Sequence, residues 1–577
     1  MVKQNADSSA PYAISVGHSR AAEIAADVLD SGGNAVDAGV AASISLTVLH
    51  SEQVQFGGVS PILIYLAESQ LVYSIEGAGR WPLAIDRTLF EGKYRGRIPQ
   101  GILRTVTPAC PDAWITALER FGSMSFSELA EPTRILAKDG FPAHQDLVDC
   151  TVQFERYYRR YEENTSIWLP NDQTVQLGQV FIQSNLATTL GAMIDADRKA
   201  ASKNGRMAGL SAVRDIFYKG EIADEMIRHV IQQDGLMTHA DLASHKTPIV
   251  PATTAAVFGG TAFTCGFWSQ GPVLSQSLQI LEQFYQENPP EKKPSQHHIF
   301  LEAMKLSMAD REAYYGDPDF VNVPSEQLLS PAYAAARARQ IRIDEAFTAL
   351  PTAGSFKGFE KPNISTYQKN TASVPALDTS VAIIADKHGN IFASTPSDSS
   401  FDSPAVPNLG FVISTRGSQS YVAADHPACL YPGKRPRVSA CPFIIRTREG
   451  QFIAGGGPGA DLQLQTAVQI LMNHFVFDQS LLAAVNAPRV FTHSIPASSE
   501  PHLSFAGKIV IEDDIPNPVA VKLEESGHKI TRETSRGVNR PSICIVKSND
   551  GQYEAIGDPR RDSGQKTKSV SQRTAGR

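Results

Sequence analysis

Leu377-Asp378-Thr379-Ser380-Val381-Ala382-Ile383-Ile384-Ala385-Asp386 runs through Lys387-His388-Gly389-Asn390 into Ile391-Phe392-Ala393-Ser394-Thr395-Pro396-Ser397. Two apolar runs rich in β-branched residues flank a short segment ending in Gly-Asn, a pattern that predicts a β-hairpin. A threonine opens the first strand. Periodicity alone makes it an ordinary strand residue, because its branching favours extended backbone on steric grounds.

Outward from this hairpin, the chain changes character on its two sides. Residues 350–376, just before Thr379, hold few large apolar side chains and much Pro, Gly, Ser, Thr and Lys, which reads as an exposed linker. After it, short strands are expected at Leu409–Ser414, Pro442–Arg446, Phe452–Gly455 and Ser542–Val546, with one clear helix at Leu462–Asn473. Before it, helical periodicity dominates. A strand-like Tyr12–Val16 leads to Ser19 as a candidate N-cap, and the helix that follows stops at Gly32-Gly33. The next helix, Ala35–Leu49, is almost all small and apolar, so burial on every side is expected. A strand pair at Pro61–Leu66 and Leu71–Glu76 follows, then helices at Pro111–Phe121, Ser127–Asp139 and Val213–Gln233. Strands return at Ile249–Val257 and Thr261–Phe267, before helices at Ser275–Gln286 and His297–Tyr314. Helices followed by paired strands favour a layered arrangement of both.

The 577 residues are 42% hydrophobic and 20% charged, an ordinary globular composition. A net charge of −7 without a sustained basic run argues against a nucleic-acid surface. The basic, Ser- and Gly-rich end from Arg560 to Arg577 reads as frayed. Six cysteines without Cys-x-x-Cys spacing fit reduced thiols rather than a disulfide frame or a zinc site. No signal-like segment and no run of ~18 apolar residues is seen, so neither export nor a membrane span is expected and the cytoplasm is the expected location. Sequons at Asn164 and Asn363 carry little weight in that setting.

Gly455-Gly456-Gly457-Pro458-Gly459-Ala460-Asp461 follows a strand and opens a helix. Amides there suit an anionic oxygen or an oxyanion, though a merely tight turn gives the same pattern. It lacks the residues of a nucleotide loop. His297-His298 reads as a surface pair rather than a metal site, since adjacent residues on a helix point about 100° apart. Asp310-Arg311 and Asp558-Pro-Arg560 read as structural ion pairs or helix ends. No Gly-x-Ser-x-Gly elbow is present.

Several blocks together resemble the gamma-glutamyltransferase (glutathione hydrolase) family of N-terminal-nucleophile hydrolases. They are Gly32-Gly33-Asn34-Ala35-Val36-Asp37-Ala38, the stretch from Ala130 to Pro142, Glu302 to Leu306 with Ala309-Asp310-Arg311, and Gly316-Asp317-Pro318-Asp319-Phe320. Pro432-Gly433-Lys434-Arg435-Pro436, Gly457-Pro458-Gly459, Asn486-Ala487-Pro488-Arg489 and Asp558-Pro559-Arg560 continue the series in the same order. The resemblance implies an α+β fold, a four-layer αββα sandwich. It implies a precursor cut between Asp378 and Thr379, whose helix-rich 1–378 and strand-rich 379–577 fragments stay associated as a heterodimer around one core.

The family's roles fall on this chain as follows. Thr379 is the nucleophile, and its freed α-amine is the base. Ser397 stands where an assisting threonine is usual. Gly459 and Ala460 supply oxyanion amides, Ala460 replacing a second glycine. Ser439 matches one of two serines that hold a substrate carboxylate, the other position being Val438. Arg80, Ser418 and Ser399 complete the substrate-binding set, with departures. Arg80 lies two residues beyond the position of the family's arginine, which is Ala78 here, and Ser418 replaces an acidic residue. Gln53-Val54-Gln55-Phe56-Gly57-Gly58 replaces a serine- and glycine-rich stretch. No metal or organic cofactor is expected. The implied substrate is a γ-glutamyl or related small amide, with water or an amine as acceptor, and no nucleic acid or membrane. Two other readings stay open: hydrolysis of a different small amide (oxamate-like or acylated amines), and an unprocessed scaffold of the same fold.

Overall fold

In the computed structural model, which describes residues 12–290, 295–360, 378–535, 541–549 and 552–568, the expected hairpin forms as Ala382–Ala385 and Ile391–Ser394. Its turn closes through the Asp386 amide on the Asn390 carbonyl at 3.0 Å, with Gly389 at φ +82°. Side chains alternate with the two-residue period of a strand. Ala382, Ile384 and Phe392 join the core under the N-terminal helices. Val381, Ile383, Ala385, Ile391 and Ala393 join a second core between two sheets.

The hairpin sits at the centre of the first sheet. In spatial order its strands are Gly564–Lys568, Tyr12–Val16, Ala382–Ala385, Ile391–Ser394, Ile62–Leu66, Leu71–Ile75 and Ile249–Pro251, all antiparallel. The second sheet runs Gln552–Gly557, Cys544–Asn549, Phe452–Gly456, Phe443–Arg446, Gly260–Thr264 and Thr253–Val257. Helices Ser19–Asp30 and Ala35–Leu49 cover the outer face of the first sheet; Gly271–Glu287 and Leu462–Phe475 cover the second. The fold is α+β, four layers in αββα order. Ala35–Leu49 is buried at every residue. It lies so close to the hairpin that a Cβ on Gly39 would stand 2.1 Å from the Phe392 ring. Small residues on this helix thus serve to bring the central hairpin against it.

Several expectations need correction. Val213–Gln233 is two helices, Arg206–Tyr218 and Glu221–Gln232, because the chain turns extended at Gly220. Ile249–Val257 is two strands in different sheets, the chain crossing between layers at Ala252. Leu409–Ser414 makes isolated bridges rather than a strand; its apolar pattern reflects packing of Phe411 against Phe56 and Phe217. His18, not Ser19, caps the first helix. The basic end does not fray at Arg560: its guanidinium binds Glu512, and Gly564–Lys568 pairs with Tyr12–Val16. Of the expected linker, 361–376 lies outside the described residues, while 350–360 is irregular yet docked. The Gly354 amide donates to Asp310 at 2.9 Å, and Phe356 packs on Tyr314 and Tyr333. His298 is fully buried, hydrogen-bonded to His528 at 2.9 Å, because its face of the helix turns into the core.

Candidate active site

Thr379 precedes the first hairpin strand and is wholly buried. Its backbone is at φ +83°, a region sparsely populated by β-branched residues and costing on the order of 1–3 kcal/mol. Surrounding bonds hold it there. The Thr379 amide donates to the Gln53 carbonyl at 2.9 Å, the Ser380 amide to the Pro396 carbonyl at 3.0 Å. The stretch Gln53–Gly58, conspicuous in the sequence only as a replacement, thus shapes the backbone of the threonine.

The Thr379 hydroxyl lies 2.6 Å from Ser397 Oγ and 3.0 Å from Asp378 Oδ1. With its amide oriented to satisfy both neighbours, Gln463 donates to the Gly457 carbonyl at 3.0 Å and accepts from the Ala460 amide at 3.3 Å and the Thr379 hydroxyl at 3.2 Å. Asp378 and that Gln463 oxygen are acceptors only, so the Thr379 proton goes to one of them and Ser397 donates to Thr379. Ser397 in turn accepts from Arg416 Nη2, and Arg416 Nη1 pairs with Asp378 at 2.8 Å. The result is a closed ring: Arg416 to Ser397 to Thr379 to Asp378 and back.

Arg416 is fully buried between Asp378 and Asp398. Burial opposes its charge, but the two carboxylates outweigh burial and raise its pKa above the ordinary value. Burial lifts the Asp398 pKa, against the pull of Arg416 and of hydrogen bonds from Ser414 and Thr415. Asp398 fixes the loop that carries Arg416, accepting from Ser414 Oγ at 2.6 Å and Thr415 Oγ1 at 2.7 Å.

The glycine loop bends over Thr379 between the strand Phe452–Gly456 and the helix Leu462–Phe475. Gly459 has φ +119° and Ala460 φ +48°, so an alanine occupies a left-handed position usual for glycine. Gly457 admits no side chain, since a Cβ there would stand 1.9 Å from the Ser542 carbonyl oxygen.

A cavity of about 340 Å³ opens beside Asp378. Its walls include Ser399, Thr415, Arg416, Ser418, Arg97, Arg104, Asp402 and Glu500, with Tyr94, Ile98 and Phe401 as the apolar part. Arg104 is committed to Asp402 at 2.6 Å and to the carbonyls of Ile98 and Pro99. Glu500 projects a carboxyl whose pKa burial raises to about 7, against the pull of Arg104 and Arg97.

Of the residues selected from sequence, Asp378, Thr379 and Ser397 come into hydrogen-bond contact, with the Gly459-Ala460 turn joined to them through Gln463; Ser399 and Ser418 line the cavity. Ser439 is buried behind it, bound to Gln419 at 2.9 Å. Arg80 lies outside the cavity wall. It binds Asp317 at 3.2 Å, Asp319 at 2.6 Å and the Gly433 carbonyl at 2.9 Å, so its charge is spent there. Sequence reading missed Arg416, Asp398, Gln463 and Glu500. Arg416 stands two residues before Ser418, which was already singled out, an available signal.

A match to the Gamma-glutamyltranspeptidase family spans residues 21–567. The glutathione hydrolase proenzyme of Bacillus subtilis (strain 168) is 27% identical over 560 residues, covering 95% of this chain and 90% of its own length. The Acylase ACY 1 proenzyme of Pseudomonas sp. (strain SE83) is 28% identical over 532 residues, covering 89% and 86%. Among solved structures, LmbA2991HD superposes with TM-score 0.89 at 27% identity over 98% of this chain and 99% of its own. Cephalosporin acylase from Bacillus halodurans shares the fold with TM-score 0.81 at 23% identity, over 98% and 97%. No helix among the described residues is long and apolar enough to cross a membrane. The chain belongs to the gamma-glutamyltranspeptidase family, enzymes of the N-terminal-nucleophile amidohydrolase superfamily.

Proposed function

We propose that this protein is a self-processing threonine amidohydrolase that cleaves γ-glutamyl or related amides through an acyl-Thr379 intermediate. One observation carries the proposal: a buried threonine hydroxyl, 2.6 Å from a second hydroxyl, on a residue whose φ of +83° strains the bond to be cut. Cleavage between Asp378 and Thr379 removes the carbonyl that defines that torsion, so the strain is released in the product.

The acyl shift needs only groups already in the ring, and water completes the processing. The Thr379 oxygen attacks the Asp378 carbonyl carbon while its proton passes to the Asp378 carboxylate. The C–N bond then breaks as the nitrogen takes up a proton, leaving an ester on Thr379 Oγ1. Water splits the ester, giving an Asp378 terminus and a free Thr379 amine. An α-amine ordinarily has a pKa of about 8, so it serves as base for its own hydroxyl in turnover. The hydroxyl attacks the substrate amide, the proton it gives up goes to the leaving amine, and water or another amine releases the acyl group. Ser397 stabilises the attacking oxygen. The amide of Gly459, with that of Ala460 once its 3.3 Å bond to Gln463 gives way, stabilises the tetrahedral oxyanion, one such donor being worth about 3–4 kcal/mol. Residues 1–378 and 379–577 both contribute strands to each of the two large sheets, which supports fragments that stay associated.

In this proposal the acyl group enters the cavity beside Asp378, where Ser399, Ser418, Arg416 and Glu500 meet it. A glutamyl headgroup brings one carboxylate and one ammonium, and the walls hold charges of both signs. A second reading, hydrolysis of a different small amide, is favoured by Arg80 standing outside the wall and by the neutral Ser418. Turnover of a γ-glutamyl anilide against plain and acylated amides separates the two. Thr379→Ala must stay a single full-length chain and be inactive on all of them; a cut or active variant sinks the proposal.

A further inference from the structure

Behind the Thr379 strand, His50, Glu52 and His144 bring one ligand atom each to within 4.8 Å of one another. Glu52 is fully buried, with Oε1 accepting from Gln53 Nε2 at 2.8 Å and Oε2 without a hydrogen-bond partner among the described residues. A buried carboxyl oxygen left unpaired is costly, so the site has an unmet place for a partner. We propose that His50, Glu52 and His144 bind one zinc-class divalent cation.

The hydrogen bonds of the imidazoles present the right atoms. His50 Nδ1 contacts Ser380 Oγ at 3.0 Å, leaving Nε2 for a ligand. His144 Nε2 meets the Leu49 carbonyl at 2.7 Å and must donate to it, so Nδ1 carries the lone pair; its present contact, the Leu147 amide, is a long 3.3 Å. A histidine whose far nitrogen is tied to a carbonyl or hydroxyl is the usual form of a metal ligand. His18, whose ring centre is 5.4 Å from that of His50 and 5.3 Å from that of His144, plays a different part. Its Nδ1 accepts from the Arg20 amide, so its proton sits on Nε2 and the ring is not a ligand. Two imidazoles, one carboxylate and one open position suit zinc, whose metal–ligand distances of about 2.0–2.2 Å ask the donors to close to about 3.4 Å.

The neighbouring cation is already engaged. Arg561 donates to Gln53 Oε1 and pairs with Asp146 at 3.8 Å. The other His–Glu cluster, His298, Glu302 and His528, is already filled: Lys305 Nζ lies 2.7 Å from Glu302 Oε1, and the Phe347 amide 2.7 Å from Oε2. An ion on Glu52 would also stiffen the turn whose Gln53 carbonyl receives the Thr379 amide.

The test uses the purified full-length gene product, stripped with chelator and titrated with Zn²⁺ against a chromophoric competitor, then with Co²⁺ by absorption. The expected result is about one ion per chain, with visible Co²⁺ bands of a four-coordinate nitrogen and oxygen set. Glu52→Gln and His144→Gln should each weaken binding by roughly tenfold or more. Folded wild-type protein that takes up no Zn²⁺ and shows no Co²⁺ bands overturns the proposal without recourse to a variant. So does a folded Glu52→Gln protein that binds as tightly as wild type.

Discussion

Replacing Ser397 by alanine removes one hydroxyl from the ring around Thr379 and leaves the rest of its neighbours. Ser397 is fully buried and accepts from Arg416 Nη2. Its own proton points to Thr379 Oγ1 at 2.6 Å, where negative charge develops as that oxygen attacks. A hydrogen bond to a charged group contributes about 1.5–3 kcal/mol. At 1.36 kcal/mol per decade, Ser397→Ala should slow attack by about 10- to 150-fold. The same factor should apply to self-cleavage and to turnover, because the same oxygen attacks in both. A gel time course of freshly made precursor reads the first; single-turnover kinetics on the matured variant reads the second. Equal denaturant midpoints for variant and wild type would show the fold intact. A folded Ser397→Ala precursor that cleaves at the wild-type rate refutes the ring as the source of nucleophile activation.

Arg416→Gln leaves Asp378 and Asp398 buried without their shared cation. Equilibrium unfolding should show a loss of about 3–5 kcal/mol, shrinking at acid pH as Asp398, its pKa raised by burial, takes up a proton; a loss under ~1 kcal/mol contradicts the assignment. Glu500 supplies a pH signature. Its folded pKa is raised from 4.5 to about 7, so the unfolded chain binds fewer protons in that window. The stability it contributes is present below pH 4.5 and lost as pH rises to about 7, on the order of 3 kcal/mol in all. Glu500→Gln should flatten that part of the stability profile, and an unchanged slope would assign the dependence elsewhere.

Much of the fold was legible because it rests on periodicity. The hairpin at Ala382–Ala385 and Ile391–Ser394 follows from β-branched alternation, and the helix Ala35–Leu49 from its run of small apolar residues. The crossing at Ala252 was not, since an apolar run reads alike whether it stays in one sheet or passes between two. The pairing of Gly564–Lys568 with Tyr12–Val16 joins the two ends of the chain, and its polar residues carry no strand pattern. At the site, Thr379 and Ser397 were found through the family resemblance, not through spacing, whereas the Gly459-Ala460 turn also stood out as a glycine loop between a strand and a helix. Arg416 opens a single 3-10 turn, Arg416–Gln419, too short for any period to mark a buried charge. Arg80 misled for the opposite reason: it lies near the expected position in sequence, but Asp317 and Asp319 draw it away. The imidazoles of His18, His50 and His144 converge only in space.

The most direct test is the mature protein's own chain ends. Denaturing electrophoresis followed by N-terminal sequencing of the smaller fragment should return Thr-Ser-Val-Ala-Ile, beginning at Thr379. A purified, active protein that remains one uncut chain, or whose new terminus lies at any other residue, contradicts the account at its centre.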